Sequence, residues 1–392
     1  MLVKPRAGQP AKIKVLGIGG GGGNAITSMI NDGGVTGVEF IAINTDSQAL
    51  LNNKADVKIQ IGENLTKGLG SGGDSEIGQH AVEESRDRVK EEIGDADMIF
   101  ITCGQGGGTG TGASPLIAEI SKETGALVVA VVTSPFKFEG KKRMMSADDG
   151  IEKLREKVDT LIVVPNQKVL NIIDKKTPIL EAFRKIDTIL HEGVRGIAEL
   201  ITTPGLINVD FADVKSIMTN AGSALMGIGT ASGDKRAMGA IKQAISSPLL
   251  DISIEGAKGV LLNIIGGPDL AMNEVDEAVS IITKTVDPDA DIIFGAVVDD
   301  KMMDQLKITI VATRFDDRGL RLFDYKKEFA VEEEIEENEE EEIEDLKNLT
   351  KKSSEKTKPL VTNISNGRDK SDEELLEESE EFDIPAFLRK NK

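Results

Sequence analysis

The stretch that most restricts what this chain can fold into is residues 104–112, GQGGGTGTG, set between an apolar run at 98–101 and an apolar-periodic segment at 113–120. The order is a buried strand, a loop almost bare of side chains, then a helix. Glycine tolerates positive φ and lets another group approach the main chain closely. Successive N–H groups aimed at one point, with a helix N-terminus behind them, make an anion site suited to phosphate. Gly106, Gly107, Gly108, Gly110 and Gly112 would form that cradle, and Thr109 and Thr111 could add hydroxyl donors. A flexible surface loop is the alternative, and glycines this dense between a buried strand and a helix argue against it.

The rest of the chain repeats the arrangement. Apolar strands are expected at 12–18, 39–43, 57–61, 98–101, 126–132 and 160–164, alternating with helical patterns at 25–30, 76–93, 113–120 and 141–158. Strands that are nearly all apolar, alternating with helices, indicate an α/β fold whose parallel, Rossmann-like sheet is covered on both faces. Ligands of such sheets bind outside the carboxyl ends of the strands. The polar or glycine-rich turns at 19–24, 44–46, 104–112, 133–136 and 165–166 all fall at such ends. A long central helix at 179–201 is stopped by Thr202-Thr203-Pro204-Gly205, the expected turn signals. A smaller second α/β domain follows, with helices at 210–220, 234–246 and 272–285 and strands at 260–265, 292–298 and 308–313. The expected organisation is a flexible N-terminal arm at 1–11, a nucleotide-binding domain at 12–177 and a linking helix at 178–204. After these come a second domain at 205–316, an acidic linker at 317–381 and a docking peptide at 382–392.

Charge and composition narrow the function. The net charge is −20, which argues against nucleic acid as a main ligand. Residues 331–381 alone carry 20 acids against 7 bases; such a segment cannot bury enough apolar area to fold and is expected to be a disordered C-terminal tail. Its end, FDIPAFLRKNK, gathers Ile384, Pro385, Phe387 and Leu388, the composition of a peptide that docks on a partner. Cys103 is the only cysteine, so no intrachain disulfide is possible and a reducing compartment is favoured; it reads as a small apolar residue ending a strand. Two histidines and one cysteine make a zinc site improbable. No signal peptide and no run of roughly 20 apolar residues is present, which points to a cytoplasmic chain without direct membrane insertion.

Three nucleotide chemistries compete. A P-loop NTPase needs GxxxxGK[ST], and no glycine loop here contains that lysine. A Rossmann oxidoreductase binding NAD fits Gly17–Gly22 as GxGxxG, with Asn44 and Asp46 at the end of the second strand. The second glycine loop, on another strand, suits a single di- or triphosphate better than a bridging dinucleotide.

The string GGGTGTG at 106–112 resembles the signature of the tubulin/FtsZ GTPase family, and the likeness, strongest to the bacterial cell-division branch, runs from about residue 12 to 315 and reappears at the C-terminus. The resemblance implies that GTP or GDP is held by Gly20, Gly21, Gly22 and Asn24, by Asn44 and Asp46, and by the signature glycines and threonines. It implies a γ-phosphate loop containing Gly70, Gly72 and Gly73, and a ribose-side loop with Thr133, Pro135, Glu139 and Arg143. Asn166, Phe183 and Asp187 fall where the family holds guanine: a ring to stack on, and a carboxylate for N1–H and the exocyclic amine. Read alone, Phe183 would be core and Asp187 a solvated helix residue. One departure stands out: bacterial members usually read GxGAGANPE where this chain has GLGSGGDSE at 68–76. The added Asp74 should weaken γ-phosphate binding unless a cation screens it.

Asn208, Asp210 and Asp213 match the family's catalytic loop, NxDxxD; unaided, the two aspartates would read as an N-cap and a helix-dipole charge. From Phe183 to Thr202 is 19 residues, roughly 29 Å of helix at about 1.5 Å each. Acids that distant cannot serve the nucleotide of their own subunit but can serve that of a neighbour stacked head to tail, a heterologous contact that propagates into a filament if the rotation does not close. The resemblance therefore implies a homopolymer whose GTP hydrolysis needs the next subunit, with Mg²⁺ at the phosphates. It also implies a ring at midcell, and a C-terminal peptide that docks on membrane-tethering division proteins such as FtsA or ZipA. A related possibility is a structural polymer that binds GTP and hydrolyses it poorly.

Overall fold

The computed structural model describes residues 11–174, 176–247 and 253–315. The acidic linker, the docking residues Ile384, Pro385, Phe387 and Leu388, and nearly all of the N-terminal arm lie outside the described residues.

β1 (Ile13–Ile18) is buried along its whole length and passes directly into α1 (Gly19–Asn31), so this helix starts inside the glycine run rather than after it. β2 (Val38–Asn44), α2 (Ser47–Asn52), β3 (Val57–Gln60) and α3 (Glu63–Thr66) build one edge. The helix expected at 76–93 is two helices, α4 (Ser75–Glu84) and α5 (Arg86–Ile93), broken at Ser85, whose Oγ accepts a hydrogen bond from Gly62 N at 3.2 Å. Next come β4 (Met98–Gly104), α6 (Thr109–Glu123), β5 (Leu127–Ser134), α7 (Lys141–Arg155), β6 (Thr160–Pro165), α8 (Asn166–Val169) and α9 (Ile179–Thr202). The remaining elements are α10 (Phe211–Met218), β7 (Gly222–Ser232), α11 (Arg236–Ile245), β8 (Gly259–Gly266), α12 (Met272–Thr285), β9 (Asp291–Val298) and β10 (Gln305–Thr313).

Among the described residues, all ten strands form one sheet in the order β3-β2-β1-β4-β5-β6-β7-β10-β8-β9. It is parallel from β3 to β7, and β10 runs antiparallel to both β7 and β8. Successive residues of β1 enter opposite cores: Ile13 and Val15 join the cluster under α1 and α9, whereas Leu16 and Ile18 join the one under α5 and α6. That alternation is the signature of a sheet buried on both faces.

β7 was not expected from the sequence, and it is the strand that makes the sheet continuous. Its sequence, GSALMGIGTAS, is too rich in glycine and small residues to read as a buried strand. The structure supplies the reason. A Cβ on Gly229 would collide with the carbonyl oxygen of Ala240 on α11. On α9, a Cβ on Gly193 would lie 2.8 Å from Met226 Sδ, and one on Gly196 would lie 2.8 Å from Thr309 Cγ2. Helices thus approach both faces of the sheet where side chains are missing, and tertiary packing overrides strand propensity.

Gly229→Ala tests this close approach. Overpacking α11 against β7 should destabilise the chain by about 1–3 kcal/mol, read as a lower urea midpoint at unchanged m-value.

Candidate active site

Register brings the polar turns to one level of the sheet. Ile18 pairs with Ile43 and Cys103, Gly104 with Thr133, and Ser134 with Pro165. The β1–α1 junction, Asn44, the 104–112 loop, Thr133 and Asn166 therefore share one edge. The two glycine loops lie back to back: a Cβ on Gly19 would sit 2.9 Å from Gly110 N, and one on Gly21 would sit 3.2 Å from Gly104 N. By contrast, a Cβ on Gly20, Gly72, Gly73 or Gly107 would meet nothing within 4 Å. Packing does not require glycine at those four places, and each leaves room for something that is not protein. A cavity of about 1010 Å³ opens there, lined by Gly72, Gly73 and Gly106–Gly108 and by Lys142 and Arg143 of the first turn of α7. A smaller cleft of about 210 Å³ adjoins Gly20, Asn24 and Asn44.

Buried hydroxyls hold the loops in place. Thr109 Oγ1 lies 2.7 Å from Thr45 Oγ1 and 3.0 Å from Ser71 Oγ. Thr111 Oγ1 accepts from Gly106 N at 2.8 Å, in a turn where Gly106 has φ +90°. Ser71, where the bacterial pattern has alanine, therefore ties the 68–76 loop to the signature loop. Gly70, Gly72 and Gly73 all have positive φ (85°, 62° and 83°), which suits a loop folding its N–H groups inward. Asp74 has a local task as well: its carboxylate caps α4, accepting from Glu76 N at 2.8 Å. Asp46 caps α2 through Gln48 N and Ala49 N, and Asn44 Oδ1 accepts from Asp46 N at 3.3 Å.

Beyond β5, Pro135 and the backbone of Arg143 press on Gly106. Glu139 pairs with Arg143 at 3.1 Å and accepts from Phe136 N at 2.9 Å. Phe136 stacks on Phe138 with centroids 4.9 Å apart and meets the edge of Phe183 at 5.5 Å. Phe183 is 41% exposed, so it is not a core residue. Asn166 is buried, yet its Oδ1 has no hydrogen-bond partner, a costly arrangement unless a ligand donates to it. Asp187, on the first half of α9, is pushed up to about 6, chiefly by burial and further by the charge of Asp32. Cys103, buried and pushed up to about 12 by desolvation, stays a thiol.

Asn208, Asp210 and Asp213 are not brought to this cavity. They follow the far end of α9, a continuous helix of 24 residues, roughly 36 Å at about 1.5 Å per residue. Leu206 N donates to Ala296 O at 2.8 Å, which pins this loop to β9, and Gly205 N donates to Asn208 Oδ1 at 2.6 Å within the loop. Asp210 occupies the N-cap position of α10, but its side chain makes no capping bond. Both aspartates are exposed. Sequence reasoning missed Thr45 and Ser71, whose role is a tertiary contact between loops distant in the chain. It also missed Asp32, which acts on Asp187 from the end of α1.

Residues 12–174 match the family model described as the Tubulin/FtsZ family, GTPase domain, and residues 222–316 match the FtsZ family, C-terminal domain. Among solved structures, an FtsZ dimer from M. jannaschii is 48% identical, covers 78% of this chain and 89% of its own, and superposes with a TM-score of 0.75. A tryptophan-to-tyrosine mutant of M. jannaschii FtsZ is 49% identical over 78% of this chain and 91% of its own, also at 0.75. CetZ2 from Haloferax volcanii, at 20% identity and a TM-score of 0.67, covers 82% of this chain and 99% of its own and shares the fold. The NAD oxidoreductase reading of 17–22 gives way to the GTPase match.

The Asp187 environment has a measurable cost. A carboxyl whose folded-state value is raised prefers to be neutral, so the penalty is absent below pH about 4, grows on the way to its value of about 6 and is complete above it. Asp187→Asn should therefore stabilise the ligand-free chain by about 1–3 kcal/mol at pH 8 and by little at pH 4, as measured by denaturant unfolding.

Proposed function

The chain belongs to the tubulin/FtsZ GTPase family, and from that premise we propose that it hydrolyses GTP only when stacked head to tail in a filament. The observation that carries this reading is the separation of the glycine cavity from Asn208, Asp210 and Asp213 by the whole length of α9.

In the proposed site the N–H groups of Gly20–Gly22, Gly72, Gly73 and Gly106–Gly108 cradle the phosphates. Thr133, Pro135, Glu139 and Arg143 flank the ribose. Guanine stacks on Phe183, gives its N1–H and amine to Asp187, and supplies the donor that Asn166 Oδ1 lacks. Mg²⁺ would neutralise phosphate charge. Among the described residues no group of three or more His, Cys, Asp and Glu side chains converges as a metal site, so that ion would take most of its ligands from the nucleotide and water.

The acids of the next subunit then complete the centre. Asp210, free of capping duty, and Asp213 share a helix face and can orient the attacking water, with Asn208 shaping their loop. Exposed apolar side chains favour stacking: Ile179 and Leu180 at the start of α9, and Leu206 in the loop after its end. A relative 48% identical is described as a dimer. We assign the filament to the division ring at midcell. Residues 12–177 would bind nucleotide, 178–204 would link, and 205–316 would activate the neighbour. The peptide at 382–392 would dock on membrane-tethering proteins such as FtsA or ZipA. A tether of about sixty residues reaches on the order of 45 Å, and many copies on one filament turn weak docking into strong attachment.

Asp213→Ala is the decisive variant. Filaments should still pellet with GTP while phosphate release falls roughly 100-fold or more. In the unaltered chain, turnover per molecule should vanish below a critical concentration. A turnover rate independent of dilution would end this account.

A further inference from the structure

The glycine loops contain no lysine, yet the cavity they line does. Lys142 stands on the first turn of α7 and lines that cavity together with Gly72, Gly73 and Gly106–Gly108. Its neighbour Arg143 is engaged with Glu139 at 3.1 Å. Lys142 makes no hydrogen bond or ion pair to any described residue. Three cations, Lys141, Lys142 and Arg143, open α7 with no acid in its first turn, and the N-cap Gly140 offers no side chain. Positive charge at a helix N-terminus opposes the macrodipole and is unfavourable unless an anion sits beside it. The cavity that Lys142 and Arg143 line offers space for such an anion.

We infer that Lys142 is a positioning cation for the terminal phosphate of the bound nucleoside triphosphate, delivered from α7. It does from a helix outside the glycine loops what a P-loop lysine does from within its own glycine loop. The same ammonium offsets the carboxylate that Asp74 brings to the 68–76 loop, so the altered loop and the lysine belong together. This inference rests on reading the cavity as the GTP site. It separates GTP from GDP, because an ammonium facing the 68–76 loop meets the γ-phosphate and leaves the diphosphate to the glycine N–H groups.

The test uses the full chain below its assembly concentration, with GTPγS and GDP as probes. Lys142→Met should weaken GTPγS at least tenfold and GDP no more than twofold, while Lys142→Arg keeps GTPγS within about threefold of the unaltered chain. Lys141→Met, which removes the same charge one residue earlier, should leave the GTPγS-to-GDP ratio unchanged. Without nucleotide, Lys142→Met should melt no lower than the parent, since it removes a cation from a helix N-terminus. Equal loss for both nucleotides, no loss for either, or a lower melting temperature of the ligand-free variant would overturn the role. Failure of the unaltered chain to bind either nucleotide would instead remove the GTP-site reading on which the role stands.

Discussion

The arrangement depends on how closely two backbone loops approach each other. The β1–α1 junction and the 104–112 loop touch through Gly19 against Gly110, where a Cβ would not fit, and through Gly21 against Gly104, where it would be tight. A similar exclusion locks α4 to α6, where a Cβ on Gly112 would overlap the carbonyl oxygen of Ser75. Main chain packed on main chain turns N–H groups from separate strands toward one cavity, and buried hydroxyls fix the spacing. Side chains would serve this purpose poorly, because they would occupy the space that a phosphate needs.

A second constraint is the stiffness of α9. It is anchored by Gly193 and Gly196, which lie one turn apart and let β7 and β10 press on the helix backbone. Its N-terminal half carries Phe183 and Asp187, and its C-terminal end leads into the loop holding Asn208, Asp210 and Asp213. Any displacement of the helix along its axis is therefore felt at both ends. The ten-stranded sheet strengthens this coupling, because β7 hydrogen-bonds to β6 on one side and to β10 on the other.

The parts legible in the sequence are those with a local signal. Buried parallel strands appear as unbroken apolar runs, and the cradle appears as glycine between a strand and a helix. The parts that were not legible depend on contacts between distant segments. β7 is hidden because Gly229 answers to α11. The break at Ser85 is hidden because its partner is Gly62. Asp74 reads as a surplus charge beside phosphate, and the structure gives it a cap to make. Asp210 misleads in the opposite direction: it sits at an N-cap position with a suitable side chain and leaves that bond unmade.

Three further features, at Asp187, at Asn166 and at the start of α7, bear on function. Asp187 is a carboxyl pushed up to about 6 by burial and by Asp32. Asn166 buries an acceptor with no donor. α7 opens on three cations where a helix favours anions. Each feature is a local cost, and natural sequences keep such costs where something outside the chain removes them. A guanine base carries donors for Asp187 and Asn166, and a triphosphate carries anions for the start of α7. An adenine base would present an acceptor at N1 where Asp187 needs a donor, and would leave that carboxylate unpaired. A guanine nucleotide would relieve all three costs at once.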